Sequence, residues 1–147
     1  MSRDQPAAEV ARASADHMWA ADRASAALGM RLVEVAPGCA VVAMTVREDM
    51  VNGWDICHGG LIATLADSAF AVACNSRGTV TVAAGFDVTF LTSARLGDEL
   101  RAAAREVALQ GRSGLYDVTV TRTGDGVVVA ELRGRSRSLA RPNPGLA

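Results

Sequence analysis

The hydrophobic positions in the first third of the chain predict one helix and two strands. Between residues 7 and 28, apolar and small side chains recur at roughly helical spacing, which predicts an amphipathic helix that ends at Gly29. Two runs typical of β-strands follow, at residues 30–36 and 39–47. The dipeptide Pro37-Gly38 between them favours a tight turn, so these strands should be antiparallel neighbours.

The second helical pattern is apolar almost all round. Residues 60–75 are mainly strong helix formers, and Gly78 supplies a stop. A helix without a polar face is typically enclosed by protein. Four more strand-like runs, joined by short turns that include the hairpin dipeptide Asp125-Gly126, can enclose it: residues 80–91, 99–109, 115–123 and 127–139.

The order of these elements predicts an α+β fold in which one antiparallel sheet wraps around one central helix. The 147 residues suit a single domain. We assign residues 1–29 to an N-terminal helical segment of that domain and residues 30–140 to its main body. The proline-containing tail, residues 141–147, is expected to be disordered.

Composition narrows the chemistry. The net charge is −1, which argues against a nucleic-acid partner, and all 15 basic residues are Arg, which excludes lysine chemistry. Two His are too few for a three-His zinc site, and three Cys without C-x-x-C spacing suggest neither a disulfide framework nor a Cys-rich zinc site, so we expect a cytoplasmic location. The apolar stretch at residues 61–75 is too short to span a membrane, and the acidic N-terminal segment does not resemble a targeting signal.

Candidate chemistry gathers around the start of the central helix. Gly59 and Gly60 stand where a loop enters that helix, and the first N–H groups of a helix have no internal acceptor and lie at the positive end of its dipole. They could stabilise an oxyanion on a carbonyl that approaches without meeting a Cβ. The alternative is that the two glycines serve only as a flexible start to the helix.

Asp67 is the most informative residue, because a carboxylate in an apolar helix is costly unless it is paired, hydrated or used. It could act as a nucleophile or general base. Alternatively, it could bond a neighbouring Ser, Thr or backbone group, or face solvent in a polar stripe with Thr64 and Ser68. Gly59 and Asp67 are roughly 12 Å apart along one helix, too far to contact one small carbonyl group. A site that uses both needs two subunits related by a two-fold axis.

Two residues before the glycine pair allow further chemistry. His58 could transfer a proton, but we favour a role in fixing the loop or capping the helix through its ring. Cys57 lacks an orienting partner for a Cys-His pair, so a packed thiol is the simpler interpretation. His17 in the first helix is interpreted as a surface or interface residue.

These residues occur in the pattern Asn52-Gly53-(x)4-His58-Gly59-Gly60-(x)6-Asp67, which resembles the hot-dog fold acyl-CoA thioesterases, particularly the bacterial phenylacetyl-CoA thioesterases. Three segments between residues 50 and 140 extend the resemblance: MVNGWDICHGGLIATLADSAFAVACNSRG, FDVTFLTSARLGDEL and QGRSGLYDVTV. Together they are far more specific than the His-Gly-Gly tripeptide.

The resemblance implies hydrolysis of an acyl-CoA thioester, without a metal or cofactor, in a dimer that commonly pairs into a tetramer. The Gly59 amide would polarise the carbonyl, and Asp67 of the facing subunit would attack it or activate water. Asn52 and His58 would shape the loop, with His58 holding Asn52. Gly60 would contribute to substrate binding, and Arg112, with Ser113, would contact CoA phosphates unless it is only a solvated turn residue.

One departure from the family pattern bears on the mechanism. Some relatives place a strand Ser or Thr after the central helix to position water, and here that stretch reads Val82-Ala83-Ala84-Gly85. Asp67 would then act with less help, and the small residues would leave room for an aryl group. Two other functions remain open: an acyl-CoA-binding module without catalysis, and a hot-dog enoyl-CoA hydratase.

Overall fold

A computed structural model describes residues 6–146 of the chain. It contains three α-helices and six strands. The helices are α1 (Ala7–Ala20), α2 (Arg23–Ala27) and α3 (Gly59–Asn75), and the strands are β1 (Arg31–Ala36), β2 (Cys39–Thr45), β3 (Thr79–Phe90), β4 (Glu99–Gln110), β5 (Ser113–Arg122) and β6 (Val128–Pro142).

The six strands form one antiparallel sheet in the order β1-β2-β4-β5-β6-β3. Its concave face packs against α3, which buries ten of its own residues. Side chains that alternate along β2, β4 and β5 meet the helix, as expected for strands with one buried face. The predicted α+β architecture, a sheet around a central helix, is confirmed.

The N-terminal segment differs from the single helix expected over residues 7–28. The chain leaves α1 at Ala21, and a second short helix starts after Asp22, whose carboxylate accepts a hydrogen bond from the Ser25 N–H at 2.9 Å. An Asp at this position satisfies an N–H that the helix itself leaves free. The break lets α2 turn back onto α3.

The tail also differs from its prediction. β6 continues to Pro142, and a 3₁₀ turn over Pro144–Leu146 packs against α1. Asn143 is 4% exposed and its N–H donates to the Gly78 carbonyl at 2.8 Å. The expectation of disorder is therefore wrong for residues 141–146, because backbone pairing and burial outweigh the two prolines.

β3 lies at the edge of the sheet and pairs only with β6 among the described strands. Several of its apolar side chains remain exposed, including Val82, Phe86 and Phe90. A long, apolar edge strand of this kind is a template for pairing with another chain. Among residues 6–146, no helix combines the length and apolarity needed to cross a bilayer.

Candidate active site

The first turn of α3 presents unused backbone donors to a cleft. His58 is the N-cap residue, and its carbonyl accepts from Leu61 and Ile62 N–H at 3.0 and 3.3 Å. The N–H groups of Gly59 and Gly60 have no acceptor among the residues that the structure describes. An open cleft of about 340 Å³ reaches this turn, lined in part by Asn52, Cys57, Gly59, Ile62 and Phe90.

The two glycines are not equivalent. A Cβ added at Gly59 would lie 2.8 Å from Phe90 Cζ, whereas one added at Gly60 would meet nothing within 4 Å. The Phe90 ring therefore covers Gly59 closely and holds that backbone against the end of β3. A flexible helix start explains neither this close approach nor the difference between the two positions.

Asn52 organises the loop before the helix through its side chain and its backbone. The Asn52 Oδ1 accepts from the N–H groups of Trp54 and Ile56 at 2.8 and 3.3 Å, and the Asn52 N–H donates to the Ile56 carbonyl at 2.8 Å. Asp55 has a φ of 60°, a left-handed conformation that this tight turn requires. The Asn52 amide NH₂ has no partner in residues 6–146.

His58 does not act as the resemblance implied. Its side chain is exposed, makes no capping hydrogen bond and does not contact Asn52 through a hydrogen bond in the described chain. The expectation that its ring fixes the loop or holds Asn52 is wrong for the described chain, where the Asn52 side chain and backbone bonds organise the loop without it. Its N–H donates to the Met50 carbonyl at 2.9 Å.

Cys57 is a packed thiol, as predicted. It is 5% exposed, and its Sγ donates to the His58 carbonyl at 3.6 Å. Burial raises the pKa of the Cys57 thiol. A thiol that is protonated and turned toward a backbone carbonyl is a poor nucleophile.

Asp67 lies in the middle of α3 and is half-buried. No hydrogen bond or ion pair joins its carboxylate to another residue within 6–146, so a Ser or Thr partner does not explain it. The neighbouring Thr64 hydroxyl donates to the Gly60 carbonyl, and Ser68 bonds Ser25. Burial, and to a smaller extent the negative charge of Asp22, raises the pKa of Asp67 above its usual value.

A half-buried carboxylate with a raised pKa and free oxygen atoms is suited to accept a proton or attack an electrophile. Gly59 and Asp67 lie in the same continuous helix, eight residues apart, which corresponds to roughly 12 Å. The donors of the first turn and the carboxylate therefore belong to two separate parts of one subunit.

Arg112 and Ser113 lie elsewhere, in and after the turn between β4 and β5. The exposed Arg112 lines a cavity of about 130 Å³ near the C-terminal end of α3, together with Cys74, Tyr116 and Ser136. Ser113 lines the neighbouring groove, which shares Ser136. Neither residue borders the Gly59 cleft.

Sequence reasoning missed two features of the site. Phe90 over Gly59 depends on where β3 ends in space, which no local pattern reveals. The bond of Ser25 to Ser68 of α3 was also missed, although Asp22 at the start of α2, where it caps the Ser25 N–H, is a residue type typical of a helix N-cap. In the described part of the chain no cluster of three His, Cys, Asp or Glu residues could hold a metal ion.

Comparison with known proteins identifies the family of this chain. The thioesterase superfamily model matches residues 55–129. The acyl-coenzyme A thioesterase PaaI of Escherichia coli is 40% identical over 127 residues, which cover 86% of this chain and 89% of that protein.

Solved structures give the same result. The structure of the E. coli PaaI protein of the phenylacetic acid degradation operon superimposes with a TM-score of 0.90 at 36% identity, over 93% of this chain and 99% of that one. A Streptococcus mutans protein, solved bound to acetyl-CoA, has a TM-score of 0.73 at 26% identity, over 77% and 90% of the two chains. The chain is therefore a member of the thioesterase superfamily, with the hot-dog fold of that family.

Proposed function

We propose that this protein hydrolyses acyl-CoA thioesters to a free acid and CoA, and that its preferred acyl groups are aromatic, of the phenylacetyl type. The observation that carries the proposal is the half-buried Asp67 carboxylate, which has a raised pKa and no described partner on the helix that also presents the Gly59 amide. The aromatic preference is supported by the likeness to PaaI of the phenylacetic acid degradation operon.

In the proposed reaction the Gly59 N–H donates to the thioester carbonyl oxygen and stabilises the negative charge that develops there. Asp67 either takes a proton from a water molecule that attacks the carbonyl carbon, or attacks that carbon itself to form an anhydride that water then hydrolyses. In both cases the C–S bond breaks, the thiolate of CoA leaves and takes up a proton, and the acid is released.

Both groups reach one carbonyl only if Gly59 comes from one subunit and Asp67 from another, because they are roughly 12 Å apart along α3. The exposed apolar edge of β3 supports such a pairing, since a second copy aligned on it would bring two α3 helices side by side. We propose a two-fold dimer with shared sites, and a dimer of such dimers as the full assembly.

The remaining site residues have supporting roles in the proposal. Asn52 holds the loop beside the cleft and offers its free amide NH₂ to water or substrate. His58, exposed next to Gly59, contacts the substrate rather than the loop. Gly60 lets the substrate approach the helix start, where a Cβ would meet no protein atom.

Arg112 and Ser113 are proposed to bind CoA phosphates. Arg112 makes no ion pair with another residue in the described chain, and guanidinium groups bind phosphate in a bidentate manner. Arg112→Ala should therefore raise the KM for an acyl-CoA several-fold with little change in kcat. The stretch from Val82 to Gly85 carries no hydroxyl side chain that could position water for Asp67, and its small, exposed Ala83 and Ala84 leave space for an aryl group.

The location we propose is the cytoplasm, where the three free thiols would stay reduced. The reaction is tested by incubating the protein with phenylacetyl-CoA, straight-chain acyl-CoAs and an enoyl-CoA, and measuring the thiol released. We expect release that is fastest with the aromatic ester. Binding without thiol release would identify a binding module, and hydration of the enoyl-CoA alone would identify a hydratase; either result contradicts the proposal.

A further inference from the structure

A chain of hydrogen bonds that runs from the partly buried Asp22 to two buried serines joins α2 to the part of α3 that carries Asp67. The Asp22 carboxylate accepts from the Ser25 N–H at 2.9 Å and from the Ser25 hydroxyl at 2.7 Å. The Ser25 Oγ lies 2.7 Å from the Ser68 Oγ. Ser25 is 2% exposed and Ser68 is 9% exposed, so the bond between their hydroxyls is shielded from water, whereas the Asp22 carboxylate is only partly buried.

The direction of the chain follows from the donors that are present. An ionised carboxylate only accepts, so the single hydroxyl hydrogen of Ser25 goes to Asp22. The Ser68 hydroxyl must then donate to Ser25. The negative charge of Asp22 therefore orients the hydroxyl groups of Ser25 and Ser68. Ser68 is next to Asp67 in the sequence of α3.

That charge is not neutralised by a neighbouring cation. Neither Asp22 nor Asp67 forms an ion pair with an arginine or histidine of residues 6–146. The Asp22 carboxylate acts on Asp67 and, after burial, is the second cause that raises the pKa of Asp67. A carboxylate that is held in place without a counter-ion keeps a fixed negative field on its surroundings.

Among the charged groups around α3, Arg112 lines the cavity beside Cys74, about two helical turns from Asp67. The other titratable groups that the structure describes there add no unpaired positive charge. Cys74, on α3 itself, has a pKa raised to about 12 by burial and is a neutral thiol. Burial also raises the pKa of Tyr116 on β5, which stays neutral, and Glu106 on β4 is paired with Arg77 at 2.8 Å. The residues that α1 buries are uncharged.

We propose that Asp22 is a positioning residue for thioester hydrolysis: through Ser25 and Ser68 it fixes α2 against α3, and its unneutralised charge makes the Asp67 carboxylate a stronger base and nucleophile. This inference rests on the proposed function of Asp67. A more basic carboxylate takes a proton from water more readily in the transition state, at the cost of losing its ionised form at a higher pH.

The test is the pH profile of kcat/KM for Asp22→Asn. Asparagine removes the charge but still caps α2, because its carbonyl accepts from the Ser25 N–H and its NH₂ can donate to the Ser25 Oγ. We expect the acid limb to move to lower pH by about 0.3–1 unit and the plateau rate to fall several-fold. An acid limb that stays at the wild-type pH would overturn the proposal.

Three further variants separate charge from structure. Asp22→Glu keeps the charge and should keep the wild-type acid limb; a shift equal to that of Asp22→Asn would contradict the electrostatic role. Ser25→Ala breaks the chain but keeps the charge, so it should lower the melting temperature and kcat with a smaller shift of the limb. Asp16→Asn removes an exposed charge on α1, paired with Arg12 at 3.5 Å, and should leave the profile unchanged.

Failure of this inference is distinguishable from failure of the proposed function. If Asp67→Asn is inactive while Asp22→Asn has an unchanged acid limb, the proposed function stands and the role of Asp22 is refuted. If Asp67→Asn remains fully active, Asp67 is not catalytic and the inference fails with it. The folded state of each variant is checked by its circular dichroism spectrum and thermal transition.

Discussion

The first turn and the middle of α3 belong to one helix but offer opposite chemistry. The first turn has backbone donors without acceptors, lies in an open cleft and carries no ionisable side chain other than the adjacent His58. The middle has a half-buried carboxylate that accepts protons, with the negative Asp22 nearby. One region can bind a developing oxyanion, and the other would repel it.

The difference is the basis for the proposal that two subunits share each site. Thioester hydrolysis needs a donor for the carbonyl oxygen and a base or nucleophile for the carbonyl carbon, within one small volume. Here they are roughly 12 Å apart along a rigid helix. Two antiparallel copies of α3 would bring the two opposite regions together, and the apolar edge of β3 offers the surface for such pairing.

The largest effect is expected from removing the base in the middle of the helix. Asp67→Asn keeps the shape of the side chain but cannot accept a proton or attack, so kcat should fall by about 10²–10⁴-fold. Thiol release from phenylacetyl-CoA measures the loss, and the circular dichroism spectrum should match the wild type. Near-normal turnover would show that the Asp67 carboxylate is not the base or nucleophile, and that the middle of α3 has no catalytic role.

The first turn is tested by two matched glycine variants. In Gly59→Ala the new Cβ would lie 2.8 Å from Phe90 Cζ, so either the amide or the ring must move, and kcat should fall by about 10–10²-fold. Gly60→Ala meets no protein atom within 4 Å, so the first turn should keep its position and kcat should fall less than in Gly59→Ala, whereas KM should rise because the new Cβ lies where the substrate approaches.

A second substitution sharpens the role of Gly59. Adding Phe90→Ala to Gly59→Ala removes the clash and should restore part of the lost kcat. If Gly59→Ala and Gly60→Ala have the same kcat, the close approach of Phe90 to Gly59 does not matter for catalysis.

The loop that supports the first turn should have a moderate effect. Asn52→Ala removes the acceptor for the Trp54 and Ile56 N–H groups and should lower kcat/KM by about tenfold. Asn52→Asp keeps that acceptor but loses the NH₂, so it should preserve the melting temperature while activity still falls. If Asn52→Asp behaves like the wild type in both measurements, Asn52 has only a loop-holding role.

The smallest expected effect is on stability. Folding raises the pKa of Asp67, so the folded state binds that proton more tightly than the unfolded chain, and ionisation at neutral pH costs stability. The cost disappears as the pH falls below the raised pKa. Asp67→Asn should therefore melt a few degrees higher than the wild type at pH 7 and lose this advantage in acid.

The fold class and the order of helices and strands could be predicted from the sequence, because each strand pattern and each turn is set by residues close together in the chain. The sequence also placed Gly59 at a helix start and Asp67 in a buried helix, since a carboxylate among apolar residues is visible without coordinates. The tail was mispredicted because Asn143 pairs with Gly78, far away in the chain. The contact of Phe90 with Gly59 and the Asp22–Ser25–Ser68 chain likewise depend on distant segments that meet only in the fold.

The central claim, a site shared between subunits, is tested most directly by mixing two inactive variants, Gly59→Val and Asp67→Asn. A dimer with one chain of each kind keeps one site with an intact Gly59 from one subunit and an intact Asp67 from the other. Random co-assembly should therefore restore about a quarter of the wild-type thiol release, by the statistics of two-fold dimers. If the mixture remains as inactive as the separate variants while mixed dimers are present, each site lies within one subunit and the account is wrong.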